Sequence, residues 1–78
     1  MEKIKKVNIE NGYYLFKLDQ LLADKNISKN KLMRDTNTDF KDIQRIASGD
    51  SVRIDITVLA RFSDYLQCDI TDIIDYKR

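Results

Sequence analysis

The spacing of the hydrophobic residues changes at about residue 17. From Leu18 onward apolar side chains recur three and four positions apart, as in Leu18, Leu21 and Leu22, which is the spacing of one helix face. Four later stretches, separated by short polar turns, also have helical character. We therefore predict an all-α fold, a compact five-helix bundle, with helices at 17–25, 29–35, 40–47, 56–66 and 72–76.

Polar capping residues must set the helix ends, because the sequence has no proline and only two glycines. Ser28, Asp39, Asp55 and Thr71 each precede a predicted helix, and such side chains accept hydrogen bonds from the first free backbone amides. Asn26 can take the left-handed conformation that ends a helix. The inward faces of the helices predict one core, formed by Leu18, Leu22, Leu32, Ile43, Ile46, Leu59, Phe62 and Leu66.

Residues 1–16 differ from the rest of the chain. β-forming residues such as Val7, Tyr13 and Tyr14 cluster there, and Asn11-Gly12 is a dipeptide favoured in two-residue hairpin turns. Because the alternation of polar and apolar residues is imperfect, a short β-hairpin and an extended arm both fit. We predict one of these over residues 1–16, followed by a helical domain over residues 17–76.

The composition excludes most catalytic and metal sites. The 78 residues include no histidine and a single cysteine, Cys68, so a histidine-based catalytic triad and a usual zinc site are ruled out. We expect no enzyme activity and no cofactor, and interpret Cys68 as a small buried residue rather than a redox sensor. No apolar run nears the ~20 residues of a membrane span. A cytoplasmic protein without a membrane partner is therefore expected.

The central segment carries a more specific pattern. Residues 28–50, SKNKLMRDTNTDFKDIQRIASGD, combine a seven-residue helix, a turn of about three residues and an eight-residue helix closed by glycine. Together with Arg53-Ile54-Asp55 and the stretch from Tyr65 to Tyr76, this segment resembles the Cro/C1-type helix-turn-helix family, also called the XRE family. The resemblance implies a DNA-binding fold whose second motif helix enters the major groove.

The resemblance also implies which residues contact DNA. Carried over position by position, the base-contacting residues are Phe40, Lys41, Gln44 and Arg45, and the phosphate-contacting residues are Ser28, Lys29, Asn30 and Ser48. Lysine and arginine suit guanine, glutamine suits adenine, and a phenylalanine can press on a thymine methyl group. Plainer interpretations exist beside these: an ordinary solvated helix face for the cations, a helix cap for Ser28, and a core or protein contact for Phe40.

Two functions fit these observations. The leading hypothesis is a sequence-specific transcriptional regulator, a repressor, that binds a double-stranded DNA operator as a homodimer. We expect the dimer to form through residues 3–16 or the final helix. The alternative is a protein-binding helix-turn-helix module, such as an antirepressor or a phage-encoded inhibitor. Asp39, Asp42 and Asp50 favour that alternative, because carboxylates on the DNA-facing surface repel phosphate.

Overall fold

A sheet and a group of helices make up the fold, which a computed structural model describes for residues 3–49 and 53–78. The elements in chain order are β1 (Lys5–Ile9), β2 (Gly12–Phe16), α1 (Leu18–Lys25), α2 (Lys29–Thr36), α3 (Phe40–Ser48), α4 (Ile56–Leu66), a 3-10 turn (Ile70–Asp72) and β3 (Ile74–Lys77). The strands form one antiparallel sheet in the order β1-β2-β3, so the beginning of the chain pairs with its last strand.

The prediction of an all-α five-helix bundle is wrong. The described residues form four helices and a three-stranded antiparallel sheet. The first four predicted helices are confirmed, with bounds that differ from the predicted ones by one residue at most. The predicted fifth helix, at 72–76, is replaced by the end of the 3-10 turn and by β3.

The last segment forms a strand because β2 offers it an edge to pair with. Ile74 lies opposite Phe16, and the backbone amide of Lys17 donates to the carbonyl of Ile73 at 2.8 Å. A helix of five residues gains too few backbone hydrogen bonds to offset its nucleation cost. Isoleucine and tyrosine also suit a strand, where their side chains pack on the pleated surface.

Thr71 was the wrong choice for a helix N-cap. It lies inside the 3-10 turn, which begins after Asp69. Asp72 closes this turn, because its carboxylate accepts a hydrogen bond from the backbone amide of Asp69 at 3.0 Å. The sequence signal of a capped helix was therefore real at this position, but it belongs to a single turn and starts two residues earlier.

Of the two alternatives for the N-terminal segment, the described residues form the β-hairpin, with its turn one residue earlier than the Asn11-Gly12 dipeptide suggested. Ile9 pairs with Gly12, so the two-residue loop is Glu10-Asn11, and Glu10 takes the positive φ of 57°. Gly12 serves a different purpose. A Cβ at this position would lie 2.2 Å from the backbone oxygen of Lys77, so β3 can approach β2 this closely only beside a glycine.

Three of the four predicted N-caps are confirmed. Each side chain accepts a hydrogen bond from a nearby amide: Ser28 from Lys31 at 3.0 Å, Asp39 from Lys41 at 2.9 Å and Asp55 from Thr57 at 2.8 Å. Asn26 ends α1 in the left-handed conformation, as predicted, with φ 57°. Side-chain caps therefore mark the starts of α2, α3 and α4 in a sequence that has no proline.

The predicted core is present as one cluster. Seven of its eight predicted members are buried, and Leu59 is partly buried and packs against them. The cluster also contains Ala47 and Val58, which the spacing places on the inward faces of their helices, and Ile73, which precedes β3. Because α3 gives this core Ile43, Ile46 and Ala47, its rotation is fixed and its opposite face is left to solvent.

Candidate nucleic-acid interface

Helices α2 and α3 form a helix-turn-helix. The turn is residues 37–39, and it begins where Asn37 takes the left-handed conformation, with φ 51° and ψ 49°. The backbone amide of Thr38 donates to the carbonyl of Met33 at 3.1 Å, which folds the turn back onto α2. Asparagine tolerates this conformation better than most residues other than glycine.

A buried hydroxyl pair ties the turn to the rest of the domain. Thr36 and Thr38 are both buried, and their side-chain oxygens lie 2.9 Å apart. The guanidinium of Arg61 on α4 donates to the Thr38 hydroxyl at 3.1 Å, and the Thr36 hydroxyl donates to the carbonyl of Leu32. These hydrogen bonds join the end of α2 to the turn and the turn to α4.

Helix α3 presents a polar face to solvent. Lys41, Gln44, Arg45 and Ser48 are exposed, and the side chain of Phe40 at the start of the helix is 38% exposed. These residues follow one another at the spacing of a single helix face, opposite the buried isoleucines. The five residues predicted on this helix are therefore brought together on one surface. Contact with DNA stays a prediction for each of them.

The first turn of α2 borders this surface. Ser28 and Asn30 are exposed, and Lys29 is half-buried. The ammonium of Lys29 donates to the side-chain oxygen of Gln44 on α3 at 2.8 Å, and it lies 3.3 Å from a carboxylate oxygen of Asp19 on α1. Lys29, a predicted phosphate contact, is thus hydrogen-bonded to Gln44, a predicted base contact.

Two carboxylates reduce the positive charge of the surface formed by α3 and the first turn of α2. Asp42 lies 3.8 Å from Arg45, one turn along α3, and Asp19 pairs with Lys29. Asp39 is occupied as the cap of α3. Asp50, the third acidic position that the sequence placed on this face, lies outside the described residues. The role of Asp19 was missed because a contact between α1 and α2 leaves no periodic signal in the sequence.

A second polar contact braces α2 against α4. Tyr65 donates a hydrogen bond to the carboxylate of Asp35, and the ammonium of Lys31 lies 3.0 Å from the same carboxylate. The bond from Tyr65, followed by that from Lys31, holds the pKa of Asp35 below its ordinary value, and the same bond raises the pKa of Tyr65. Asp35 is therefore ionised at neutral pH, and Tyr65 is not.

Other chemistry has little support in the described part of the chain. Residues 3–49 and 53–78 contain no group of three acidic or cysteine side chains placed to hold a metal ion. Cys68 is half-buried at the edge of the core, and burial raises the pKa of its thiol, which disfavours the reactive thiolate. None of the helices described has the length and apolar character of a membrane span.

The motif and its position in the chain agree with a family description. The sequence model of the Cro/C1-type HTH DNA-binding domain matches residues 17–78, which is most of the chain. The protein belongs to this family. No curated protein and no solved structure matches the chain significantly. The Cro/C1-type domain supports a DNA-binding regulator, and it includes β3 as well as the four helices.

Proposed function

We propose that this Cro/C1-type protein is a sequence-specific transcriptional repressor that acts by occupying a promoter and catalyses no reaction. The observation that carries the proposal is the exposed face of α3. Its buried isoleucines hold the helix against the core, and its opposite side offers two cations and an amide within one turn and a half. A helix presented in this way fits the major groove of B-DNA, which is wide enough for one.

Each exposed side chain of α3 has a chemical role in this proposal. Lys41 and Arg45 donate to guanine O6 and N7, and Gln44 binds adenine. Phe40, at the start of the helix, contacts a thymine methyl group. The residues that bind phosphate are Ser28, Lys29, Asn30 and Ser48. Phosphate contacts set the position of the domain on the duplex, and base contacts provide its selectivity.

The proposal includes a homodimer on a double-stranded operator in the cytoplasm. A single nine-residue helix reads only a few base pairs, and helix-turn-helix proteins gain a longer site by binding two half-sites with two protomers. Dimerisation also doubles the number of phosphate contacts, which provide much of the affinity.

A protein-binding role is the second candidate, and the Asp42–Arg45 pair favours it. This pair uses an arginine of α3 for a contact within the helix and places a carboxylate beside it. Such a face suits a protein partner with both charges better than a uniformly anionic phosphate backbone. In this case the domain would work as an antirepressor or inhibitor.

Selection from random DNA tests the proposal. We expect the wild-type protein to select a defined site, with binding that weakens steeply as salt rises. The Arg45→Ala variant should lose about 1–3 kcal/mol on that site and show relaxed preference at one base pair. Lys77→Ala is the matched control, because it removes one positive charge from β3 instead of from α3. It should leave the preference for each base unchanged.

Two results would contradict the proposal. The wild-type protein could select no site and bind all duplexes equally weakly. Alternatively, Arg45→Ala and Lys41→Ala could both leave selectivity intact on a selected site, which would remove α3 from the role of recognition helix. Capture of a protein partner through Asp42, with no selected DNA site, would favour the second candidate.

A further inference from the structure

The start of the N-terminal hairpin lies beside the first turn of α2. Lys3 and Lys5 line an open groove of about 360 Å³ together with Asp19 and Lys29, above an apolar floor that includes Leu22. Three lysines therefore surround one carboxylate. Asp19 pairs with Lys29 at 3.3 Å, and the described residues that line the groove carry three positive charges and one negative charge.

We propose that Lys3 and Lys5 form, with Lys29, a phosphate-binding flank that extends the DNA interface beyond the helix-turn-helix. This inference rests on the proposed DNA-binding function, and it assigns to the hairpin a part in binding the duplex backbone. The ligand is a pair of neighbouring phosphate groups on one strand. Lysine suits this role, because its ammonium is a compact charge that binds phosphate without reading sequence.

The position of Lys29 connects the flank to the face of α3. Its ammonium bonds to Gln44 on α3 and pairs with Asp19 at the edge of the groove, so the groove and the proposed base-reading face share a border. A duplex that touches Gln44 would bring its backbone to this border. The lysines on the other side of the groove are then the next cations that the phosphates meet.

The hairpin is held firmly in this place. At the end of α3, a Cβ on Gly49 would lie 3.1 Å from the side chains of Val7 and Phe16, and 3.4 Å from the Cβ of Lys5. β1 and β2 thus lie close to the C-terminus of α3, and β1 is paired with β2, which in turn pairs with β3. A strand anchored in this way can keep its lysines beside the duplex at a small cost in conformational entropy.

The sheet also provides an internal comparison. Side chains alternate between the two faces of a strand, so Lys6 lies on the face of β1 opposite to Lys5. Its ammonium lies 4.4 Å from the centre of the Tyr13 ring, and Lys77 on β3 is paired across the sheet with Tyr13. Lys6 and Lys77 therefore carry the same charge on the far side of the same sheet.

The test compares two double variants with equal loss of charge. We expect Lys3→Gln with Lys5→Gln to make the plot of log affinity against log salt shallower by about 1.8, since each phosphate contact contributes about 0.9. Affinity should fall by about tenfold or more at 0.1 M salt, by the same factor on the selected site and on a scrambled duplex. Lys6→Gln with Lys77→Gln should leave the slope close to that of the wild type.

A charge-preserving variant separates binding from folding. Lys3→Arg with Lys5→Arg should keep the wild-type salt slope, and thermal melting should show that all variants are folded. The inference is overturned if the Lys3/Lys5 variant keeps the wild-type slope, or if the Lys6/Lys77 variant loses as much. A wild-type protein that binds no DNA overturns both this inference and the proposed function. Loss of selectivity in Arg45→Ala with an unchanged slope in Lys3→Gln/Lys5→Gln overturns the inference alone.

Discussion

At the residue scale, Arg45 and Lys29 of the helix-turn-helix each pair with a neighbouring carboxylate. Arg45 is paired with Asp42 on α3, and Lys29 is paired with Asp19 while it also bonds Gln44. Such pairs between partly exposed side chains add little to stability, because water screens them. In the proposed DNA complex their effect is larger, since a base or a phosphate must compete with the carboxylate for the same cation.

Asp42 provides the first prediction at this scale. Asp42→Ser removes a carboxylate from beside Arg45, so DNA binding should strengthen by roughly fivefold at low salt, which corresponds to the ~1 kcal/mol of a unit charge at short range in water. The gain should shrink as salt rises. Fluorescence anisotropy with a selected duplex measures the change.

Asp64→Ser is the matched control for Asp42→Ser. Asp64 is exposed on α4, and it borders a polar groove to which α2 and α3 contribute no residue. Removal of its charge should change affinity much less. Equal gains from the two variants would mean that only net charge matters and that Asp42 does not face the duplex.

At the scale of the element, α3 depends on a small number of anchors. Ile43→Ala should lower the free energy of unfolding by about 2–5 kcal/mol, because it leaves a cavity at a fully buried position. Ile56→Ala is the control, since Ile56 is 80% exposed, and it should cost well under 1 kcal/mol. Urea unfolding followed by circular dichroism gives both values. A cost below half a kcal/mol for Ile43→Ala would show that the inward face of α3 is misassigned.

The sequence predicted α1 to α4 well because each helix contains its own signals. Ser28, Asp39 and Asp55 cap helices with hydrogen bonds to amides two or three residues away, and local contacts of this kind are visible in a short window. The spacing of the isoleucines in α3 likewise predicts which face of the helix is buried, without knowledge of the residues that pack against it. The helix-turn-helix could therefore be identified from one sequence.

The last strand could not be predicted in the same way. Ile74 forms part of β3 only because Phe16, more than fifty positions earlier, lies beside it in β2. The position of Lys3 and Lys5 beside Lys29 is also a product of the sheet, since it follows from how β1 packs on α3. Pairing between distant segments leaves no local pattern in the sequence, so the last strand and the proposed lysine flank were not predicted.

At the scale of the whole molecule, the sheet joins the two ends of the described chain. Gly12→Ala should weaken this junction by about 1–3 kcal/mol, because the added methyl group collides with the backbone of β3 at Lys77. Hydrogen exchange should speed up at the amides of β3. Asn8→Ala, at an exposed position in β1, is the control and should leave exchange in β3 unchanged. Equal exchange rates in β3 for the two variants would show that β2 and β3 approach each other less closely at Gly12 than described.

The dimensions of the domain bear on the proposed dimer. Its Cα atoms extend over 36 × 25 × 20 Å, so two copies lying side by side have centres about one domain width apart. The major grooves of successive turns of B-DNA are separated by about 34 Å on the same side of the duplex. The size of two side-by-side protomers is therefore compatible with the spacing of half-sites in successive grooves.

This geometry predicts the form of the operator. A selected site should contain two inverted half-sites with centres about 10–10.5 base pairs apart, and sedimentation should show two protomers on each duplex.

Insertion of about five base pairs between the half-sites turns them to opposite sides of the helix, so the second protomer should lose its contact with the first and bind independently. Insertion of about ten base pairs restores the side but not the distance, and it should also abolish cooperative binding, since the protomers no longer touch. A single protomer both free in solution and on a saturated site would contradict the dimer. If binding stays equally cooperative at every spacing, the cooperativity does not come from contact between side-by-side protomers.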